Sequence, residues 1–154
     1  MDIKRSRYDI FIEISCLLCL AGTIIYLAAV WKDIPDKIPG HYNAIGEVDR
    51  IVSKGSLIVL PVISWIMYAG MTAITRFPQI WNTGVSVTEE NKEKVYRTLK
   101  DMMGTLKLLL IAVFAYLTIN SAMAKPLPVL FLPVFLCIMF GILIYFIVRL
   151  VKVK

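Results

Sequence analysis

One histidine occurs in the whole chain, His41, and Tyr42, Asn43, Gly46, Asp49 and Lys54 all fall within the thirteen positions that follow it. An imidazole, a carboxylate, an amide and an ammonium so close together could bind a peptide, a lipid headgroup or a cation. A structural zinc site takes about four ligands, and one histidine with one aspartate falls short, so neither a metal nor another cofactor is expected. The same residues could instead clamp a loop. Asp49 would then pair with Lys54, His41 and Asn43 would bond to backbone, and Gly46 would permit a left-handed turn. Both readings, clamp and ligand contact, stand at this point. No H-E-x-x-H, G-x-S-x-G or phosphate-loop pattern is present, so the chain is not expected to be an enzyme.

Two further charges lie where charge is expensive. Lys107 sits one residue before an uncharged run and Glu13 one residue before another. An unpaired lysine at mid-membrane costs about 2.5–3.5 kcal/mol on insertion scales. Either Glu13 and Lys107 pair, or Lys107 snorkels to the headgroups. With Asn120 and Tyr68, these two could also line a polar path across the bilayer.

The elements that must position these groups are long and apolar. The 154-residue chain is 58% hydrophobic and 18% charged, against about 45–50% and about 25% for soluble domains. The excess is concentrated in four uncharged runs, Ile14–Trp31, Gly55–Thr75, Leu108–Ala124 and Pro126–Val148. Each has about 17 residues or more, enough to span a bilayer as a helix. None alternates apolar and polar residues as barrel strands do. The first run follows Lys4, Arg5 and Arg7 but precedes no A-x-A cleavage site, and reads as a retained helix rather than a signal peptide. Cys16 and Cys19 form a C-x-x-C pair inside it, without the second ligand pair that zinc needs, and read as packing residues.

The expected fold is all-α, an integral membrane four-helix bundle forming one membrane domain over residues 1–154. The helices span about 8–31, 56–75, 88–124 and 126–150, with an outer loop over 32–55 and an inner loop over 76–87. Pro35 and Pro39 exclude regular helix from the outer loop. Asn43 and Gly46 supply turn chemistry, so that loop should be short extended pieces joined by turns. Ser53 or Ser56 is positioned to cap the second helix, Thr88 to cap the third, with Glu89 and Glu90 at its positive end. Pro133 could kink the fourth.

Basic residues sort by loop. Eleven fall at the termini and the second loop, and five in the loops between the first and second and the third and fourth runs. The asymmetry places both termini in the cytoplasm. The formal net charge of +6 points to contact with anionic headgroups of the lipid bilayer. No basic stripe with interleaved aromatics suggests direct nucleic-acid binding.

Residues 38–54, IPGHYNAIGEVDRIVSK, match the pattern I-P-x-H-x-N-x-x-G-x-x-D-x-x-x-x-K at all seven defined positions. In this the chain resembles the N-terminal membrane domain, of unknown function, of SdpI-type immunity proteins. A second block, Asn82 and then VTEENKEKVYR, resembles the inner-loop motif of that family. The resemblance implies an immunity or signalling protein of a bacterial or archaeal plasma membrane. Its outer loop, through His41, Tyr42, Asn43, Gly46, Asp49 and Lys54, would meet a toxin, peptide or envelope ligand. Its inner segment, through Asn82, Thr88, Glu89, Glu90, Asn91 and Tyr96, would meet a cytoplasmic partner such as a transcriptional repressor. The alternative is a small transporter or accessory subunit built around Lys107.

Overall fold

The computed structural model describes residues 3–153. Lys154, one of the basic residues counted above, lies outside them. Four long helices are present: α1 (Arg7–Val30), α2 (Val59–Ile74), α3 (Lys92–Ala122) and α4 (Phe131–Lys152). With a 3-10 turn (Lys54–Ile58) leading into α2, all four are long and apolar enough to cross a membrane. The chain is a multi-pass membrane protein built as a helical bundle.

The outer loop is more ordered than extended pieces joined by turns. It forms an antiparallel hairpin of β1 (Lys37–Tyr42) and β2 (Val48–Ser53). These are the only strands among the described residues. The register slips between Pro39 and Tyr42, where Gly40 lies so close to the Val52 side chain that a Cβ would overlap it. Pro39 cannot donate to a ladder, and such residues belong at irregular or edge positions.

Helix termini differ from expectation in instructive ways. α1 starts at a capping box: the Ser6 hydroxyl accepts from the Asp9 amide (3.1 Å), and the Asp9 carboxylate accepts from the Ser6 amide (2.8 Å). Neither Ser53 nor Ser56 caps α2; their hydroxyls face each other at 3.4 Å. The tight turn at Lys54–Ile58 takes that role through its own backbone. Regular α3 begins at Lys92, four residues after Thr88. The Thr88 carbonyl nevertheless accepts from the Lys92 amide (3.0 Å), and Thr88 and Asn91 side chains bond each other's amides (3.3 and 2.8 Å). Thr88 therefore does a cap's work through Asn91 rather than through an acidic partner. α4 starts at Phe131, not at Pro126, and Pro133 is its third residue. A proline in a first turn removes no helical hydrogen bond and imposes no kink.

α3 is the axis of the molecule. It packs against α1, α2, α4 and the hairpin. Three apolar clusters are strung along it. Leu27, Ile34, Ile38, Leu57 and Ala122 lie under the hairpin. Ile12, Cys16, Leu20 and Ile111 fill the middle. Val95, Leu99 and Leu150 close the far end, with Trp81 and Met102 against them. Cys16 is fully buried there, the packing role expected of it. α4 packs chiefly on α3 and buries only Phe146 and Leu150.

Candidate functional site beneath the hairpin

The hairpin is held by its turn and by α3. Asn43 builds the turn: its side-chain oxygen accepts from the amides of Ile45 (3.1 Å) and Glu47 (2.9 Å), and its side-chain nitrogen donates to the Glu47 carboxylate (2.9 Å). Gly46 has φ +87°, a conformation that costs side chains with a Cβ. Its carbonyl accepts from the Leu127 amide (2.8 Å), and a Cβ would strike the Leu127 carbonyl. Both residues are structural parts, as the clamp reading has it.

The partners within the clamp differ from those expected. Asp49 pairs with His41 rather than with Lys54; Asp49 Oδ1 and His41 Nδ1 are 2.6 Å apart. Lys54 folds back instead, donating to the Ile34 carbonyl (3.0 Å) with its ammonium 5.1 Å from the centre of the Trp31 ring. The reason lies in the ladder. His41 stands beside β2 opposite Arg50, within reach of Asp49, whereas Lys54 has already turned into the 3-10 segment. Lys54 is thus a fastener between hairpin and α1. The His41 and Asp49 side chains are 59% and 44% exposed, so this dyad stays open to a partner.

Two buried residues near the end of α3 complete the attachment. Asn120 donates to the Tyr42 hydroxyl (3.2 Å) and to the Lys125 carbonyl (2.7 Å), and the Ser121 hydroxyl donates to the Pro39 carbonyl (2.5 Å). Burial pushes the Tyr42 phenol above its ordinary value, against the opposing pull of the Asn120 hydrogen bond. The phenol therefore stays protonated, an acceptor for Asn120 with the Ser121 hydroxyl as its second polar neighbour.

Between the hairpin and the ends of the helices is a cleft of about 440 Å³. Its floor is apolar: Leu60 of α2, Leu117 of α3, Leu127 of the connecting turn, and Phe131 and Leu132 of α4. Its roof is Pro39–Ala44, including His41, Tyr42 and Asn43. Of the six outer residues singled out from sequence, the structure brings these three to one cavity. Gly46, Asp49 and Lys54 support them from outside it. The floor residues carry no sequence signal distinguishing them from other membrane leucines. Asn120-Ser121, a polar pair closing an apolar run, was the available clue to the anchor.

The intramembrane charges do meet. Lys107 Nζ donates to Glu13 and, at 3.0 Å, to the Thr72 hydroxyl. It lies 4.9 Å from the Tyr68 ring centre, and the Tyr68 hydroxyl donates to Glu13 (2.8 Å). Lys107 is buried, with a side chain 3% exposed, so it does not snorkel. Asn120 is remote from this group, about 20 Å along α3 at 1.5 Å per residue. Between them lie Cys16, Leu20 and Ile111 and a cavity of about 10 Å³, near the lower limit for a single water.

At the opposite end, Arg97 grips Asp9 with both terminal nitrogens and donates through Nε to Asp101 (2.9 Å). Arg149 reaches Asp101 at 3.7 Å and Lys100 reaches Asp9 at 3.4 Å. This network ties α1, α3 and α4, and sequence reading missed it although Arg97 and Asp101 are one helical turn apart. Of the residues assigned there to a partner, Thr88 and Asn91 cap α3. Tyr96 packs against Trp81 with the rings tilted by 42° and their centres 5.9 Å apart. Asn82 accepts from the Gly84 amide (3.1 Å) in a turn. Asn82, Glu89 and Glu90 are exposed.

Residues 18–64 match a family described as a domain of unknown function (DUF1648). That interval runs from α1 through the whole hairpin into α2. The chain is also similar to an uncharacterized protein of Archaeoglobus fulgidus, 26% identical over 132 residues covering 75% of this chain and 72% of that one. No solved structure matches.

Proposed function

We propose that this protein is a membrane receptor of the immunity or signalling kind, holding an amphipathic ligand of the envelope in the cleft beneath its hairpin. The single observation that carries the reading is that cleft: an apolar floor drawn from three helices and the turn between two of them, roofed by His41, Tyr42 and Asn43. Ligand sites typically have about 300–1,000 Å³, mostly apolar walls and a few placed polar groups. The likeness of residues 38–54 to the SdpI-type signature supports an immunity role, and a toxin or peptide is the ligand class that likeness suggests. The exposed Asn82, Glu89 and Glu90 are then the surface for a cytoplasmic partner, a repressor in that type.

The transport alternative has less support. Its polar groups fall in two separate clusters, and the ion pair among Glu13, Tyr68, Thr72 and Lys107 has its hydrogen bonds satisfied internally. The test is a protection assay in cells challenged with the toxin of a neighbouring gene, with membrane abundance measured alongside. Leu117→Trp fills the cleft and His41→Ala removes its roof group. Both should abolish protection while leaving the protein folded and inserted. Protection unchanged by both variants, or ion flux in liposomes dependent on Lys107, would sink the reading.

A further inference from the structure

We propose that the occupant of the cleft is a phospholipid of the hairpin-side leaflet, with one acyl chain on the apolar floor and its phosphate at Tyr42 and His41. The inference rests on the reading of this cleft as the ligand site, and it names the class of ligand. The floor residues sit at helix ends: Leu60 is second in α2, Phe131 and Leu132 open α4, and Leu117 is near the end of α3. In a membrane-crossing bundle those positions lie where hydrocarbon gives way to headgroups. Neighbouring residues are also apolar and exposed, including Ile63, Tyr116, Val129 and Leu130. The cleft therefore opens sideways into lipid, under a polar roof.

An apolar space beside acyl chains does not stay empty, because its lining would forfeit dispersion contacts, and water gains few partners there. At about 440 Å³ it lies toward the small end of ligand sites, with room for one acyl chain. The roof offers what a phosphate needs. Tyr42 accepts from Asn120, and its own O–H, beside Ser121, can turn to donate to a phosphate oxygen. Asp49 engages Nδ1 of His41, and Nε2 has no hydrogen-bond partner among the described residues. A hydrogen bond from that nitrogen to a phosphate oxygen is charge-assisted by the phosphate. A bilayer lipid satisfies both halves of the site with atoms already in place.

The test uses the full chain in phosphatidylcholine vesicles containing phosphatidylglycerol with a photoactivatable diazirine on one acyl chain. Labelled peptides are mapped by mass spectrometry. Adducts should concentrate on Leu117, Leu127, Phe131 and Leu132. Leu132→Trp, on a partly exposed residue that tolerates bulk, should cut that labelling by about tenfold, which corresponds to about 1.4 kcal/mol of lost affinity. Leu60→Phe serves as a second cleft-filling variant if Leu132→Trp fails to insert. Ile138→Trp, on the lipid-facing side of α4, should leave it unchanged. His41→Ala combined with Tyr42→Phe should weaken labelling by the phosphate-bearing probe but not by a diazirine diacylglycerol.

Labelling spread evenly around α4 and indifferent to the cleft variants would mean annular lipid only and overturn the proposal. Cleft adducts from a photoactivatable amphipathic peptide that excludes the lipid probe would also overturn it, in favour of a peptide site. The two readings fail separately. Specific lipid labelling with toxin protection untouched by Leu117→Trp removes the receptor role alone. Annular labelling with protection still lost removes the lipid alone.

Discussion

Gly46 and the Glu13–Lys107 pair show how single residues set the terms here. Gly46 combines a positive φ with a backbone packed against Leu127, so Gly46→Ala meets two penalties at once. Non-glycine residues in such conformations cost about 1–3 kcal/mol, and the clash adds to that. The variant should lower the melting temperature in detergent. Gly55→Ala, where an added Cβ meets nothing within 4 Å, should be neutral or slightly stabilising by the unfolded-state argument, about 0.4–1 kcal/mol. Equal losses at both sites would refute the role given to the Leu127 contact. For the buried pair, removing one member strands the other's charge. Glu13→Gln and Lys107→Met should each destabilise, and together should cost less than their sum, with a coupling of about 0.5–3 kcal/mol. A thermal-melt double-mutant cycle checks this, and strict additivity would mean that Lys107 finds another partner. Thr72 and Tyr68 are the added lesson. The placement of both charges at the starts of uncharged runs leaves pairing and snorkelling equally open, and the hydroxyls completing the site come from α2 and are invisible until three helices are assembled.

At the scale of elements, the hairpin depends on α3 more than on itself. Isolated two-stranded hairpins are marginal in water. This one is anchored by Asn120 and Ser121 through side chains that bond to Tyr42 and Pro39. Asn120→Leu removes one anchor and strands the carbonyl of Lys125. A buried hydrogen bond of this kind is worth about 0.5–1.5 kcal/mol, so local opening of the hairpin should rise by up to about tenfold. Trypsin cleavage after Lys37 or Arg50 in reconstituted protein reports it, and an unchanged cleavage rate would mean that the apolar contacts of Ile38 hold the hairpin alone. The same elements show what sequence can and cannot deliver. Uncharged runs of about 17 residues or more are enough to cross a bilayer as helices, so four spans were legible from Ile14 to Val148. Prolines and turn residues marked the outer loop as extended, but its pairing was not legible, because strand register depends on which residue opposes which. That is why proximity in sequence points Asp49 to Lys54 rather than to His41 across the ladder. The start of α3 was displaced for a similar reason: Thr88 and Asn91 cap it reciprocally, a pairing outside the usual acidic box. The cleft floor had no signature at all, since Leu117, Phe131 and Leu132 become a surface only when α3 and α4 meet the hairpin.

For the molecule as a whole, the geometry separates two chemically different ends of one rod. α3 is 31 residues long, about 46 Å at 1.5 Å per residue. It carries Asn120 and Ser121 under the hairpin, Lys107 within the span, and Arg97 and Asp101 in the charged network at the other end. Whatever fills the cleft therefore touches the same helix that organises the far face. Which end faces the cytoplasm follows from charge. Arg97, Lys100 and Arg149, with Lys4, Arg5 and Arg7, cluster at the end away from the hairpin, and positive loops are retained inside. The hairpin should then face outward. Ile45 is 51% exposed at the hairpin tip and Glu90 is exposed before α3. Neither side chain takes part in the turn or the cap, unlike Asn43 and Thr88, so each position can take a cysteine without disturbing the fold. In a background with Cys16, Cys19 and Cys137 replaced by alanine, Ile45→Cys should react with a membrane-impermeant maleimide in intact cells, and Glu90→Cys only after the membrane is opened. The reverse pattern would invert the molecule. It would place the cleft on the cytoplasmic leaflet and the Arg97 network outside, and an envelope ligand could then reach neither the dyad of His41 and Asp49 nor the floor beneath it.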